Sequence, residues 1–122
     1  MVLEAVHLDQ LREHGGMPGL RDENALEAAL ARPQHKWHYE PDSDLATLAA
    51  AYAYGLTKAH PFNDGNKRAA FLAALTFLGL NGTELGATEE EAVQVVLALA
   101  AGTLGEDELA VWLRARLVPL VR

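Results

Sequence analysis

The residue types able to do chemistry are concentrated in nine consecutive positions, His60-Pro61-Phe62-Asn63-Asp64-Gly65-Asn66-Lys67-Arg68. An almost wholly apolar run follows them to Leu80. If a helix starts near Asp64, its first backbone N–H groups and the positive end of its dipole point into this loop, and Gly65 lets a ligand approach the backbone closely. That is the makeup of an anion site. Lys58, Lys67 and Arg68 bring three positive charges and Asp64 one negative, a local balance of +2 in a chain of net charge −7. The contrast points to phosphates. Cations in the first turn of a helix oppose its dipole, and bound phosphate gives Lys67 and Arg68 a reason to be there. A single carboxylate beside phosphate suits Mg²⁺, which takes one or two protein carboxylates and completes its shell with phosphate oxygens and water. Asp64 is the candidate metal ligand, and N-capping the helix would leave it a second oxygen for the ion. A histidine at the loop edge can take a proton from an attacking hydroxyl near neutral pH, which makes His60 the candidate general base.

The elements that must position this loop read as helices. Leu3, Val6, Leu8 and Leu11 fall among polar residues before Gly15-Gly16, which predicts a first helix over 3–14. Asp22 can cap a second from Glu23 to Ala31, with Pro33 just beyond its end. The stretch 33–41 carries two prolines and large aromatics and is expected to be an extended loop or small hairpin. Ser43 is expected to cap a helix reaching about Ala59, with Leu45, Leu48, Ala49, Tyr52 and Leu56 at three-to-four-residue spacing. The run from about Gly65 to Leu80 is apolar nearly all round, as a helix at the centre of a bundle would be, with Phe71, Leu75 and Leu78 in the core. Thr88 opens a further helix through Glu89, Glu90 and Glu91, and a last one spans roughly 106–118.

Composition agrees and sets bounds. At 122 residues the chain has the length of a single domain over 1–122. Alanine and leucine supply 22 and 21 positions, isoleucine none, so an all-α fold is expected. A net charge of −7 argues against wrapping nucleic acid with a basic surface. The absence of cysteine excludes disulfides and thiolate sites. His35 and His38 stand three apart, but no matching ligand pair accompanies them, so zinc is not expected. No leader and no membrane span are legible, and a cytoplasmic protein is the expectation.

The segment HPFNDGNKR resembles the active-site motif of the Fic/Doc superfamily, HPFx(D/E)GN followed by GR or KR, and its Lys67 makes it similar to the Doc (death-on-curing) branch. Upstream, GLRDENALEAALARPQ at 19–34 resembles the early helix and following loop of Doc-like proteins. The resemblance implies a Fic/Doc-like bundle of about six helices around a buried central helix, with 33–41 as a flap that aligns the target as an added strand. It implies the toxin of a type II toxin–antitoxin pair, using ATP and Mg²⁺ to phosphorylate a threonine of elongation factor Tu and so block translation. In that reading His60 is the general base, Asp64 holds Mg²⁺, and Gly65 and Asn66 form the phosphate-binding turn. Lys67 and Arg68 hold the nucleotide phosphates, and Phe62 anchors the loop.

Fic members carry glycine where this chain has Lys67. A long cation there favours a nucleotide pose that presents the γ-phosphate, hence phosphoryl transfer. Doc relatives often carry arginine two residues before the motif histidine; Lys58, counted here with the nucleotide-binding residues, supplies charge there without a bidentate fork. The inhibitory motif (S/T)xxxE(G/N) of the superfamily has no match, since Thr103 is followed four residues later by Asp107. Restraint is therefore expected from a separate, Phd-like antitoxin whose tail folds into a helix across the ATP cleft. The alternatives are AMP transfer on the same scaffold, or a non-catalytic helical module that docks a partner helix.

Overall fold

The computed structural model describes residues 20–61 and 65–120. The helix expected over 3–14 lies outside the described residues, as do Phe62, Asn63 and Asp64. Asp22 starts helix α1 (Glu23–Tyr39), its carboxylate accepting the N–H of Ala25 at 3.0 Å. The expected extended flap is corrected here: α1 runs on through Pro33, and an irregular stretch begins only at Glu40. Proline removes one helical hydrogen bond, the one to the carbonyl four residues back. That carbonyl, of Ala29, faces Gly55, where a Cβ would lie only 3.4 Å from its oxygen. Pro33 is itself buried, and the turns around it are tied down where Arg32 and Lys36 meet Glu106 at 2.7 and 3.7 Å. Tertiary packing thus outweighs the local penalty.

Helix α2 (Leu45–Ala59) is capped by Asp44 rather than Ser43. Asp44 Oδ1 accepts from the Thr47 N–H at 2.9 Å and the Thr47 hydroxyl at 2.6 Å, whereas the Ser43 hydroxyl donates to the Glu40 carbonyl at 2.7 Å. After α2, helix α3 (Asn66–Leu80) begins at Gly65, whose φ of 75° is in the left-handed region. Strand β1 (Thr83–Leu85) follows, then helices α4 (Glu89–Ala101) and α5 (Glu106–Arg114) and strand β2 (Leu117–Pro119). The expected helix over 106–118 therefore stops at Arg114, and the chain extends to pair antiparallel with β1, Thr83 opposite Pro119 and Leu85 opposite Leu117. Three-residue strands are too short to show alternation in sequence. Among the described residues the fold is all-α apart from this small ladder. At the start of α4, Thr88 and Glu91 form a reciprocal capping box.

Among the described residues the most enclosed helix is α2, not α3. It buries nine of its fifteen residues, including Ala46, Ala49, Ala50, Ala51 and Ala53. On one side Ala46, Ala49, Ala50 and Ala53 pack with Ala74, Leu78, Leu99, Leu109, Ala110 and Leu113; on the other, Leu56 meets Leu26, Ala29, Leu30, Ala69, Ala70 and Ala73. In α3, Leu78 is fully buried as expected, but Phe71 and Leu75 are only partly covered. No described helix is long and apolar enough to cross a membrane.

Helix α5 is pinned to the start of α2 by Arg114, whose Nε and Nη2 donate to the two Asp44 oxygens at 2.5 and 3.1 Å. The hydrogen bond from Arg114 holds the Asp44 carboxyl well below the usual carboxylate range; partial burial opposes it, and the Thr47 bonds reinforce it. Because the folded-state value lies well below the unfolded one of about 3.9, the contribution is present above that pH and is lost progressively as pH falls from there to the lower folded-state value. Asp44→Asn keeps a capping side chain but not the ion pair. It is expected to lower the unfolding free energy by up to about 1 kcal/mol at pH 7, the pair being half exposed. Urea titrations at a series of pH values should find that difference shrinking below about pH 4. Gly65→Ala, which puts a Cβ on a left-handed backbone, is expected to cost about 1–2 kcal/mol by the same measurement, and Gly65→Asn less.

Candidate active site

The segment singled out in sequence joins the C-terminus of α2 to the N-terminus of α3. His60 is the C-cap of α2, and at φ 47° and ψ 54° it is the non-glycine residue with positive φ among the described residues. A histidine at that position leaves the helix axis, and its backbone breaks away from the turn that Leu56 closes, where the His60 N–H reaches the Leu56 carbonyl at 3.3 Å. Pro61 is fully buried and anchors the next step of the loop. At the far end Gly65 turns the chain into α3, so that Asn66, Lys67 and Arg68 form its first turn. The segment is thus bounded by two left-handed residues, one ending a helix and one beginning the next.

Lys67 and Arg68 are exposed on that first turn. They form one wall of a cleft of about 720 Å³ that continues over Phe71 and Leu75 to Thr88, Glu89, Ala92, Val93, Val96 and Leu97 of α4. Val93 and Leu97 are each 51% exposed, and much of the cleft lining is apolar, with the cations Lys67 and Arg68 on one wall and Glu89 also on the lining. A phosphate bound there meets two side-chain cations and the positive end of the α3 dipole. The apolar trough offers a surface for a ring system or for the apolar face of a peptide helix.

Of the expected site residues, the structure brings His60, Gly65, Asn66, Lys67 and Arg68 onto one helix–loop–helix junction. Asp64, the expected Mg²⁺ ligand, lies outside the described residues. Lys58 has other neighbours: its ammonium sits 5.6 Å from the Tyr54 ring centroid and against Gly102, the C-cap of α4, where a cation suits the helix dipole. Arg32 approaches the Tyr54 ring as well, at 5.5 Å. His35 and His38 gather no further ligands, for among the described residues no group of three or more His, Cys, Asp or Glu is placed to hold a metal. Trp37 and Tyr39 stand 58% and 80% exposed on α1 and do not close over the core.

One residue of the junction was not singled out from the sequence. Arg21 Nε donates to the His60 carbonyl at 2.9 Å, and its Nη2 donates to the same oxygen. The backbone N–H groups of Arg21 and Asp22 both reach the Pro61 carbonyl, at 2.8 and 3.0 Å. The signal for it was the one already used for Lys67 and Arg68: a cation just before a helix N-terminus opposes the dipole and needs a partner.

Comparison with known proteins agrees with this geometry. The model of the Fic/DOC family matches residues 2–78, a span that includes Arg21 and the whole of 60–68. The chain is 35% identical over 112 residues to Protein kinase doc of Escherichia phage P1, an alignment covering 92% of this chain and 88% of that protein. It is 43% identical over 74 residues to Toxin Doc of Mycolicibacterium smegmatis (strain ATCC 700084 / mc(2)155), covering 60% of this chain and 57% of that one. With its motif at a helix junction inside an all-α bundle, the chain belongs to the Fic/Doc family.

Proposed function

We propose that this protein is the toxin of a toxin–antitoxin pair and acts in the cytoplasm as an ATP- and Mg²⁺-dependent protein kinase on a threonine of elongation factor Tu. The observation that carries the reading is the junction itself: a histidine ends one helix, and two exposed cations begin the next at the mouth of a cleft. The names of the relatives, Protein kinase doc and Toxin Doc, support the same class. In this reading the His60 imidazole takes the proton of the acceptor hydroxyl. Lys67 and Arg68 neutralise the phosphates, and Gly65 and Asn66 let the phosphate chain lie against the backbone at the start of α3. Asp64 is the residue proposed to hold Mg²⁺, which supplies charge neutralisation at the phosphate oxygens. Lys58, engaged with Tyr54 and Gly102, contributes charge near the site rather than a phosphate contact.

The same cleft fits the expected partner. An antitoxin helix with an apolar face and acidic residues would match a trough floored by Phe71, Leu75, Val93 and Leu97 and walled by Lys67 and Arg68. Binding there would exclude the nucleotide from the cations it needs.

The test is purified protein with Mg²⁺ and ATP labelled at the α or the γ phosphate, offered elongation factor Tu. Transfer of γ label alone is expected. Transfer of α label would instead assign AMP transfer, and transfer of neither from folded protein would favour a docking module. His60→Ala should lower kcat by about 100-fold to 10,000-fold, with an unchanged circular dichroism spectrum. Lys67→Ala should act on the other constant, raising KM for ATP about tenfold or more, as loss of a charged phosphate contact does.

A further inference from the structure

We propose that Arg21 is a positioning residue for His60, a bracket that sets the backbone from which the imidazole projects; the inference rests on reading His60 as the general base. His60 adopts a left-handed conformation that side chains with a Cβ rarely take and that persists only where its surroundings over-determine it. The surroundings here are residues 21 and 22. Three successive carbonyls at and just beyond the end of α2, those of Ala59, His60 and Pro61, accept hydrogen bonds from residues 21 and 22. The Arg21 guanidinium meets His60 O through both Nε and Nη2, and Nη2 lies 3.4 Å from Ala59 O as well. The main-chain N–H groups of Arg21 and Asp22 meet Pro61 O. Asp22 also caps α1, accepting from Ala25, so the bracket is fixed to a helix rather than to a mobile strand of chain.

The guanidinium is suited to this in a way an ammonium is not. Its planar fork presents two donors from one edge, while a lysine offers a single point of charge on a flexible stem. Two donors on one carbonyl fix the orientation of the 60–61 peptide, and with it the direction of the His60 Cα–Cβ bond. Placement of a general base matters steeply, since a displacement of about 1 Å costs on the order of 100-fold in rate. Among the described residues the bracket's hydrogen bonds run to Ala59, His60, Pro61 and Ala25 and not to the cations of α3, so ATP binding should be indifferent to it.

The experiment compares Arg21→Ala and Arg21→Lys with the full wild-type chain by two readouts. The first is steady-state kinetics in the phosphotransfer assay above. We expect kcat to fall about 10-fold to 100-fold in Arg21→Ala, with KM for ATP within about twofold, partial recovery in Arg21→Lys, and further recovery when guanidinium ion is added to Arg21→Ala. The second is the histidine ring region of the NMR spectrum, with the His60 signal assigned by its loss in His60→Gln. It should shift or split in Arg21→Ala while the other histidine signals stay. An unchanged His60 signal overturns the proposal, as does a rate loss that only tracks global unfolding or falls on KM for ATP. If the wild type transfers no phosphate, the kinase reading fails, yet the His60 signal still decides whether Arg21 holds it.

Discussion

Helix α2 meets its neighbours largely through small side chains, and the rest of the structure is arranged around that fact. Alanines at 46, 49, 50, 51 and 53 and the glycine at 55 let α1, α3 and α5 approach close to its backbone. Each approach is short-range and unforgiving, because a surface of methyl groups in near-native packing has no long side chains that can rearrange to fill a gap. Leucines at 26, 56, 78, 99, 109 and 113 then lock the spaces between the helices. The site inherits its rigidity from this arrangement. His60 is the residue at which α2 ends, so it is carried by the most enclosed helix among the described residues.

The two halves of the proposed chemistry are therefore held by different means. The base is fixed through backbone: a left-handed C-cap, a buried proline after it, and the bonds from residues 21 and 22. The phosphate-binding half is held through a helix start, with Gly65 supplying the turn and Lys67 and Arg68 exposed on it. Exposed cations keep their hydration until a ligand arrives, whereas a base must already be aimed before the acceptor does. The division suits a reaction in which positioning and charge stabilisation share the work.

Much of this was legible in the sequence because the motif is contiguous: residues 60–68 carry their types and order without any need for a fold. Helix existence was legible for the same reason, since alanine and leucine favour helix wherever they fall. What was hidden depends on contacts between distant parts of the chain. Arg21 meets His60 across 39 positions, and no local pattern announces the pair. Pro33 signalled a helix end, and the signal was overridden because the carbonyl it strands faces a glycine on α2. Ser43 and Asp44 are both good caps; Arg114, seventy residues on, bonds the one that is used. The apolar run of α3 read as a central helix, but part of its apolar surface lines an open cleft instead.

The ladder between β1 and β2, together with the Arg114–Asp44 pair, gives the protein a particular history during synthesis. One flank of α2 stays bare until Leu109, Ala110 and Leu113 have been synthesised. Thr83 must likewise wait for Pro119. A nascent or prematurely terminated chain thus carries every residue of the motif on a bundle that is not closed, with its small-residue surface open to proteases and chaperones. For a protein proposed to arrest the machinery that makes it, this places a quality check before the hazard.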